Sequence, residues 1–197
     1  MKEQTRQHIE RLASFVKSTE DANALRPDAA AFLHSLILAT GAKRGVEIGT
    51  GYGYSTLWVA SAISENGGRL ITIDKDARKL QAARSHLEQA GLAAVVETIQ
   101  DDAIDALPGV EGPIDFVLSD ADKENCIAYI ERIADRLSDR AVVVTDNTIS
   151  HAEQLAAFVA WIRDREDFSS AYVPIGNGLE LSVKRSGHLR SKGVFGA

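Results

Sequence analysis

Apolar positions along the chain recur first at one helical spacing and then in alternating strand-like and helical runs. In HIERLASFVKS, Ile9, Leu12, Phe15 and Val16 share one helical face. That spacing predicts an amphipathic helix outside the repeating pattern that follows. Residues 23–27 break it. Pro27 suits a first helical turn, and AAAFLHSLILAT then runs to Gly41, a C-terminal stop. Beyond it, short apolar runs predict strands at 45–48, 69–73, 94–99, 114–118 and 141–144. Helical spacing between them predicts helices at 55–64, 76–90, 124–137 and 153–163, with Asn66-Gly67-Gly68 as a turn. The end differs: residues 172–175, Gly176-Asn177-Gly178 and residues 179–183 predict a β-hairpin.

Five strands separated by helices imply an α/β fold, a parallel sheet with helices on both faces, to which the hairpin adds an antiparallel strand. A length of 197 residues fits one such domain. No stretch approaches the about 18 uninterrupted apolar residues of a membrane helix, and MKEQTRQHIERL has no apolar signal core. The expectation is a cytoplasmic protein with no membrane partner. The single cysteine, Cys126, excludes an intramolecular disulfide and a cysteine metal cage. A net charge of −6 argues against nucleic acid as a partner.

In parallel sheets of this kind, ligands sit beyond the carboxyl ends of the strands, so the residues there carry the chemistry. The first strand runs into Glu47-Ile48-Gly49-Thr50-Gly51-Tyr52-Gly53-Tyr54-Ser55. Glycines allow a tight turn and close ligand approach, and the next helix offers free N–H groups. The spacing departs from the G-x-G-x-x-G dinucleotide fingerprint, and no Gly-Lys-Ser/Thr of a P-loop follows. A plain strand-to-helix turn is the alternative. Asp74 ends the second strand, where a carboxylate can accept from ribose hydroxyls or merely be solvated. Asp101-Asp102-Ala103 follows the third.

The fourth and fifth strands end in Ser119-Asp120-Ala121-Asp122-Lys123 and Thr145-Asp146-Asn147. They bring Asp120, Asp146 and Asn147 to one sheet edge. Two carboxylates and an amide oxygen suit Mg²⁺ or Ca²⁺. Without a positive group beside them, such carboxylates repel and one tends to hold a proton; Lys123 supplies part of that charge. Loop polarity and helix capping are the competing explanation.

In order and spacing, EIGTGYGYST, ITID, DDA, FVLSDADK, VVVTDN and PIGNGLELSVK resemble the S-adenosylmethionine-dependent O-methyltransferases of the cation-dependent catechol and caffeoyl-CoA type and their bacterial relatives. The resemblance runs over residues 27–184. It implies a Rossmann-like class I methyltransferase fold with a mostly parallel seven-stranded sheet and an antiparallel C-terminal hairpin strand. It divides the chain into an N-terminal helical extension (1–26), the methyltransferase domain (27–185) and a flexible basic tail (186–197). By resemblance, Glu47, Gly49, Gly51 and Ser55 surround the methionine part of S-adenosylmethionine, Asp74 holds its ribose, and Asp102 and Ala103 flank adenine. Asp120 and Asp122 approach the cofactor, Asp120, Asp146 and Asn147 match the cation triad, and Lys123 matches the general base, with Asp120 beside it. The implied acceptor is a small hydroxylated, catechol-like molecule, and the implied assembly is a homodimer.

Departures from the pattern bear on the acceptor. Asn177 stands where relatives often carry aspartate, and the segment after Asn147 enters a helix without the long substrate-covering loop of the plant-type enzymes. A nicotinamide-dependent Rossmann oxidoreductase and a catalytically silent methyltransferase-like scaffold are the rival readings. Elsewhere, His151 reads as an exposed or capping residue, His34 as structural, and His8, His86 and His188 as without chemical neighbours. Cys126, Trp58 and Trp161 read as packing residues.

Overall fold

The computed structural model describes residues 1–187. The tail expected at 186–197, with His188, lies almost wholly outside them. Helix α1 (Glu3–Ser18) and helix α2 (Pro27–Thr40) precede the sheet. Then come β1 (Arg44–Ile48), α3 (Tyr54–Glu65), β2 (Arg69–Asp74), α4 (Ala77–Gln89) and β3 (Val96–Gln100). They are followed by α5 (Ala103–Ala106), β4 (Ile114–Ser119), α6 (Cys126–Ile133), β5 (Leu137–Asp146), α7 (Ala152–Asp164), β6 (Phe168–Val173) and β7 (Leu179–Lys184).

The strands form one sheet in the order β3-β2-β1-β4-β5-β7-β6. β7 is antiparallel to both of its neighbours and is the strand that runs against the rest. The chain starts at β1 in the middle, winds outward to β3, then returns to β4 on the other side of β1. The β1–β4 boundary is therefore the switch point, where loops from neighbouring strands diverge and leave a crevice. Helices cover both faces. One core joins Leu33, Ile37, Leu57 and Ile63 to Phe116 and Val144; the other joins Ile48 and Val117 to Tyr129, Ile133 and Phe158. Central strands buried on both faces read as short, mainly apolar runs, Phe116–Leu118 in β4 and Val46 and Ile48 about Glu47 in β1.

Helix α1 buries Ile9 and Leu12 in the same core as α2 and α3. Thr5 Oγ1 donates to the Ala90 carbonyl at 3.0 Å, docking α1 on the end of α4. Ile9 and Leu12 thus cover their own domain, while Phe15 on the same face stays 43% exposed.

Three boundaries differ from expectation. The helix predicted over 124–137 is a 3₁₀ turn (Lys123–Asn125) followed by α6, and it stops at Ile133. β5 begins at Leu137 instead of 141, because an irregularity separates the pairs Ile114↔Leu137 and Phe116↔Val142. The polar Ser138, Asp139 and Arg140, the last at φ +64°, occupy that bulge and hide the strand from an apolar-run criterion. β6 begins at Phe168, earlier than the predicted 172, since an edge strand buries little and shows little pattern.

Candidate active site

Loops from five strand ends meet above the carboxyl edge of the sheet and enclose a cleft of about 910 Å³. Along the order β3-β2-β1-β4-β5, Asp102, Asp74, Gly49, Asp120 and Asn147 follow successive strands and line it. At about 4.8 Å per strand the row spans about 19 Å, room for an elongated ligand.

The turn after β1 is built for close approach. A Cβ at Gly49 (φ +99°) would run into the backbone carbonyl of Asp120, so β1 and β4 exits touch only with glycine there. Gly53, at φ +88°, caps α3 where an added Cβ would meet Ala83 Cβ at 3.0 Å. The N-terminus of α3 consequently opens into the cleft, which Tyr54 and Ser55 line. Asp74 braces this turn from β2: its Oδ2 accepts from Gly51 N–H at 2.8 Å and its Oδ1 from Asp76 N–H at 2.8 Å. A carboxylate has about four acceptor positions, so capacity remains for two ligand hydroxyls. Asp102 caps α5 through Oδ1, accepting from Ile104 N–H at 2.9 Å, and Ala103 lies beside it in the cleft wall.

Glu47 lies elsewhere than expected. It has no exposure and does not line the cleft. Its Oε1 accepts from Ser55 Oγ at 2.6 Å, and its Oε2 from Thr56 Oγ1 at 2.6 Å and Thr72 Oγ1 at 2.7 Å. Thr72 in turn meets Thr50 Oγ1 at 2.6 Å. Burial pushes the Glu47 carboxyl up to about 7, and the three hydroxyl bonds pull against that rise. The contacts make Glu47 a strut beneath the glycine turn, joining β1, β2 and α3. Glu47 has the sequence position of a ligand-facing residue; alternation along β1 points its side chain beneath the turn.

At the other end, Lys123 Nζ donates to Asp120 Oδ1 at 2.8 Å, both side chains nearly buried. Burial raises the Asp120 carboxyl; the Lys123 and His151 charges oppose it. Asp146 is 1% exposed, with Oδ2 accepting from Asn147 Nδ2 at 3.1 Å and Oδ1 buried without a partner. Burial and then the Asp120 charge push its carboxyl up to about 7. Asn147 sits at φ +73°, a conformation asparagine tolerates, and faces the cleft. Among the described residues no three His, Cys, Asp or Glu side chains gather as a ligand set; the candidate triad has two, its third member being asparagine.

Asp122 lines the cleft but its Oδ2 accepts from Lys75 Nζ at 2.7 Å, an exposed pair spanning the β2 and β4 loops. His151 occupies the N-cap position of α7 without a side-chain cap bond, its Nδ1 3.0 Å from Ser150 Oγ, and also lines the cleft. His8 and His86 do have chemical company. His8 Nε2 and His86 Nδ1 are 3.0 Å apart where α1 meets α4, with Arg11 at 3.3 Å from His8 Nδ1. Two further contributors carried no local signal: Lys75, and residues 22–25 between α1 and α2, which roof the cleft. Only folding sets Lys75 beside Asp122, 47 positions away, and Ala22 over Gly51.

Comparison with known proteins decides the family. The O-methyltransferase family profile matches residues 3–160. The chain belongs to the O-methyltransferase family. Among curated O-methyltransferases, the catechol O-methyltransferase of Mycobacterium tuberculosis is 44% identical over 120 residues, 60% of this chain and 54% of that protein. The catechol O-methyltransferase of Niastella koreensis is 33% identical over 146 residues, 72% of this chain and 66% of that protein. The chain thus spans about half to two thirds of the curated relatives it matches. An O-methyltransferase from Bacillus cereus, solved in complex with SAH, superposes with a TM-score of 0.81 at 27% identity, covering 94% of this chain and 92% of that one. The O-methyltransferase TomG from Streptomyces achromogenes, solved with SAM, gives 0.79 at 27% identity over 94% and 91%. The seven-stranded sheet with its antiparallel C-terminal hairpin is the fold of these class I O-methyltransferases.

Proposed function

We propose that this chain transfers a methyl group from S-adenosylmethionine to an oxygen of a small hydroxylated, catechol-like acceptor, assisted by a divalent cation. The observation that carries the reading is the single row of strand ends: Asp102, Asp74 and the glycine turn at one end and Asp120, Lys123 and Asn147 at the other line one cleft, with Asp146 buried at the end of β5 beside Asn147. A nicotinamide cofactor is not favoured, since the glycine spacing departs from its fingerprint and the related structures hold SAM or SAH.

Asp74 would hold the ribose hydroxyls, Asp102 and Ala103 would flank adenine, and Gly49, Gly51 and Ser55 would receive the methionine end, with Asp122 nearby. When bound, the donor supplies a methyl group on a sulfonium, already activated toward an oxygen nucleophile. The chain's task is then alignment and exclusion of water, largely a positioning effect. Asp120, Asp146 and Asn147 would hold Mg²⁺ or Ca²⁺, which when bound orients vicinal hydroxyls and lowers their pKa. What supports this ion is Asp146 Oδ1, a buried carboxylate oxygen without a partner, in a set of hard oxygen donors. Lys123 Nζ, held against Asp120, is the group to accept the hydroxyl proton or to balance the developing oxyanion.

The test is calorimetry with S-adenosylhomocysteine followed by labelled-methyl transfer to a catechol panel, with EDTA and with Mg²⁺ restored. Expected are saturable binding and transfer that EDTA removes and Mg²⁺ returns. No binding and no transfer to any acceptor would overturn the methyltransferase reading. EDTA-insensitive transfer would remove the cation and leave Lys123 alone beside the oxyanion. Action in the cytoplasm as a homodimer completes the proposal. Light scattering reads the assembly.

A further inference from the structure

Residues 19–26 connect α1 to α2 and cross above the glycine turn. Ala22, Asn23, Ala24 and Leu25 line the cleft, and the Ala22 carbonyl comes within 3.8 Å of where a Gly51 Cβ would stand. Leu25, 3% exposed, anchors one end of this strap in the core. Asp21 fastens the other. Its Oδ1 accepts from Tyr52 OH at 3.0 Å and its Oδ2 from Arg78 Nη2 at 2.5 Å. Arg78 Nη1 donates to the same Tyr52 OH at 2.9 Å, closing a three-membered ring of hydrogen bonds. Lys79 Nζ donates to the Asp21 carbonyl at 2.6 Å, and both cations lie 5.6–5.8 Å from the Tyr52 ring centre.

Tyr52 belongs to the turn between Gly51 and Gly53, the floor of the cleft, whereas Asp21 belongs to its roof. Arg78 and Lys79 come from the first turn of α4, just past Asp74. One carboxylate therefore ties roof, floor and the ribose-side wall together. We propose that Asp21 is a positioning residue for the methyl donor: by latching the strap to Tyr52 and Arg78 it sets how fast the donor and its product leave. This rests on the donor-binding reading of the cleft. The Asp21 and Arg78 side chains are 47% and 65% exposed, so the latch is screened by water and its effect is modest, about five-fold. It acts on residence of the ligand.

The test measures S-adenosylhomocysteine release by stopped flow in the full chain, with hydrogen exchange of amides 20–25 in the ligand-free protein. Expected for D21N, R78M and Y52F is release about five-fold faster, donor KM raised by a similar factor, kcat at saturating donor held, and faster exchange in the strap. The D21N/R78M double variant should release no faster than either single one, since each breaks the same ring. Wild-type release and donor KM in D21N, or fully additive effects in the double variant, would overturn the latch. A loss of thermal stability with release unchanged would also overturn it, assigning Asp21 a structural role only. A wild type that does not bind S-adenosylhomocysteine overturns the cleft reading and the latch's role with it. Wild-type binding with unaltered D21N release sinks the latch alone.

Discussion

Replacing Glu47 by glutamine tests the account of the glycine turn most directly. The side chain is fully buried, and its carboxyl is pushed from 4.5 to about 7 by burial, against three hydroxyl donors. A carboxyl whose pKa is higher folded than unfolded binds its proton preferentially in the native state. Its stabilising contribution is complete below the unfolded value and is lost as pH rises through about 7. At about 1.4 kcal/mol for each tenfold change in proton affinity, the rise amounts to about 3 kcal/mol lost between pH 4.5 and 8.5. Glutamine keeps the shape and does not titrate, and the hydroxyls of Ser55, Thr56 and Thr72 can rotate to suit its amide. The two proteins should unfold alike near pH 5, and E47Q should be the more stable at pH 8.5. For a chain of this size the melting-point difference should grow by about 6–12 °C across that range. Calorimetric or urea unfolding of both proteins, taken as the difference at each pH, cancels the other titrating groups. A difference that stays flat from pH 5 to 8.5 would refute the assignment of a buried, proton-holding strut.

Other outcomes follow from the same contacts. D146N should abolish acceptor methylation while raising Tm at pH 8 by about 5 °C or more, because it removes a buried carboxylate held near 7 by burial and by Asp120; labelled-methyl assays and calorimetry read the two effects, and unchanged turnover would count against the site. D74A should weaken S-adenosylhomocysteine by about tenfold or more, since Gly51 N–H and Asp76 N–H lose a charged acceptor and the turn its brace; isothermal titration checks it. Burial first, then the His86 and Arg11 charges, lower the pKa of His8, and burial lowers that of His86. The unfolded chain therefore binds more protons than the native one just below pH 6.5, and this pair loses stability as pH falls through its lowered values. The H8Q/H86Q variant should show a flatter decline in Tm from pH 7 to 5 than wild type, and an unchanged slope would contradict the pairing.

Much of the site was readable because it lies where topology forces it. Asp74, Asp102, Asp120, Asp146 and Asn147 each end or follow a strand, and parallel strands deliver their carboxyl ends to one edge whatever their separation in sequence. Glu47 was misplaced because being near that edge does not say which side of the pleat a side chain takes. β5 and β6 were displaced because a polar bulge and a half-exposed edge carry no strong periodicity.

The order of apolar runs and glycines determined an alternating α/β chain, a ligand edge and the residues bordering it, because those follow from local periodicity and the chirality of strand–helix–strand connections. Tertiary structure decided the rest: the strap of residues 22–25 over the cleft, the Asp21–Tyr52–Arg78 ring, the His8–His86 contact and the Lys75–Asp122 pair. Each joins residues far apart in sequence, and most of the polar partners, Asp21, Arg78, Lys75 and Asp122 among them, sit at exposed positions. Polar side chains there have no periodicity to betray their partners, and only the packed helices and sheet bring them within hydrogen-bond reach.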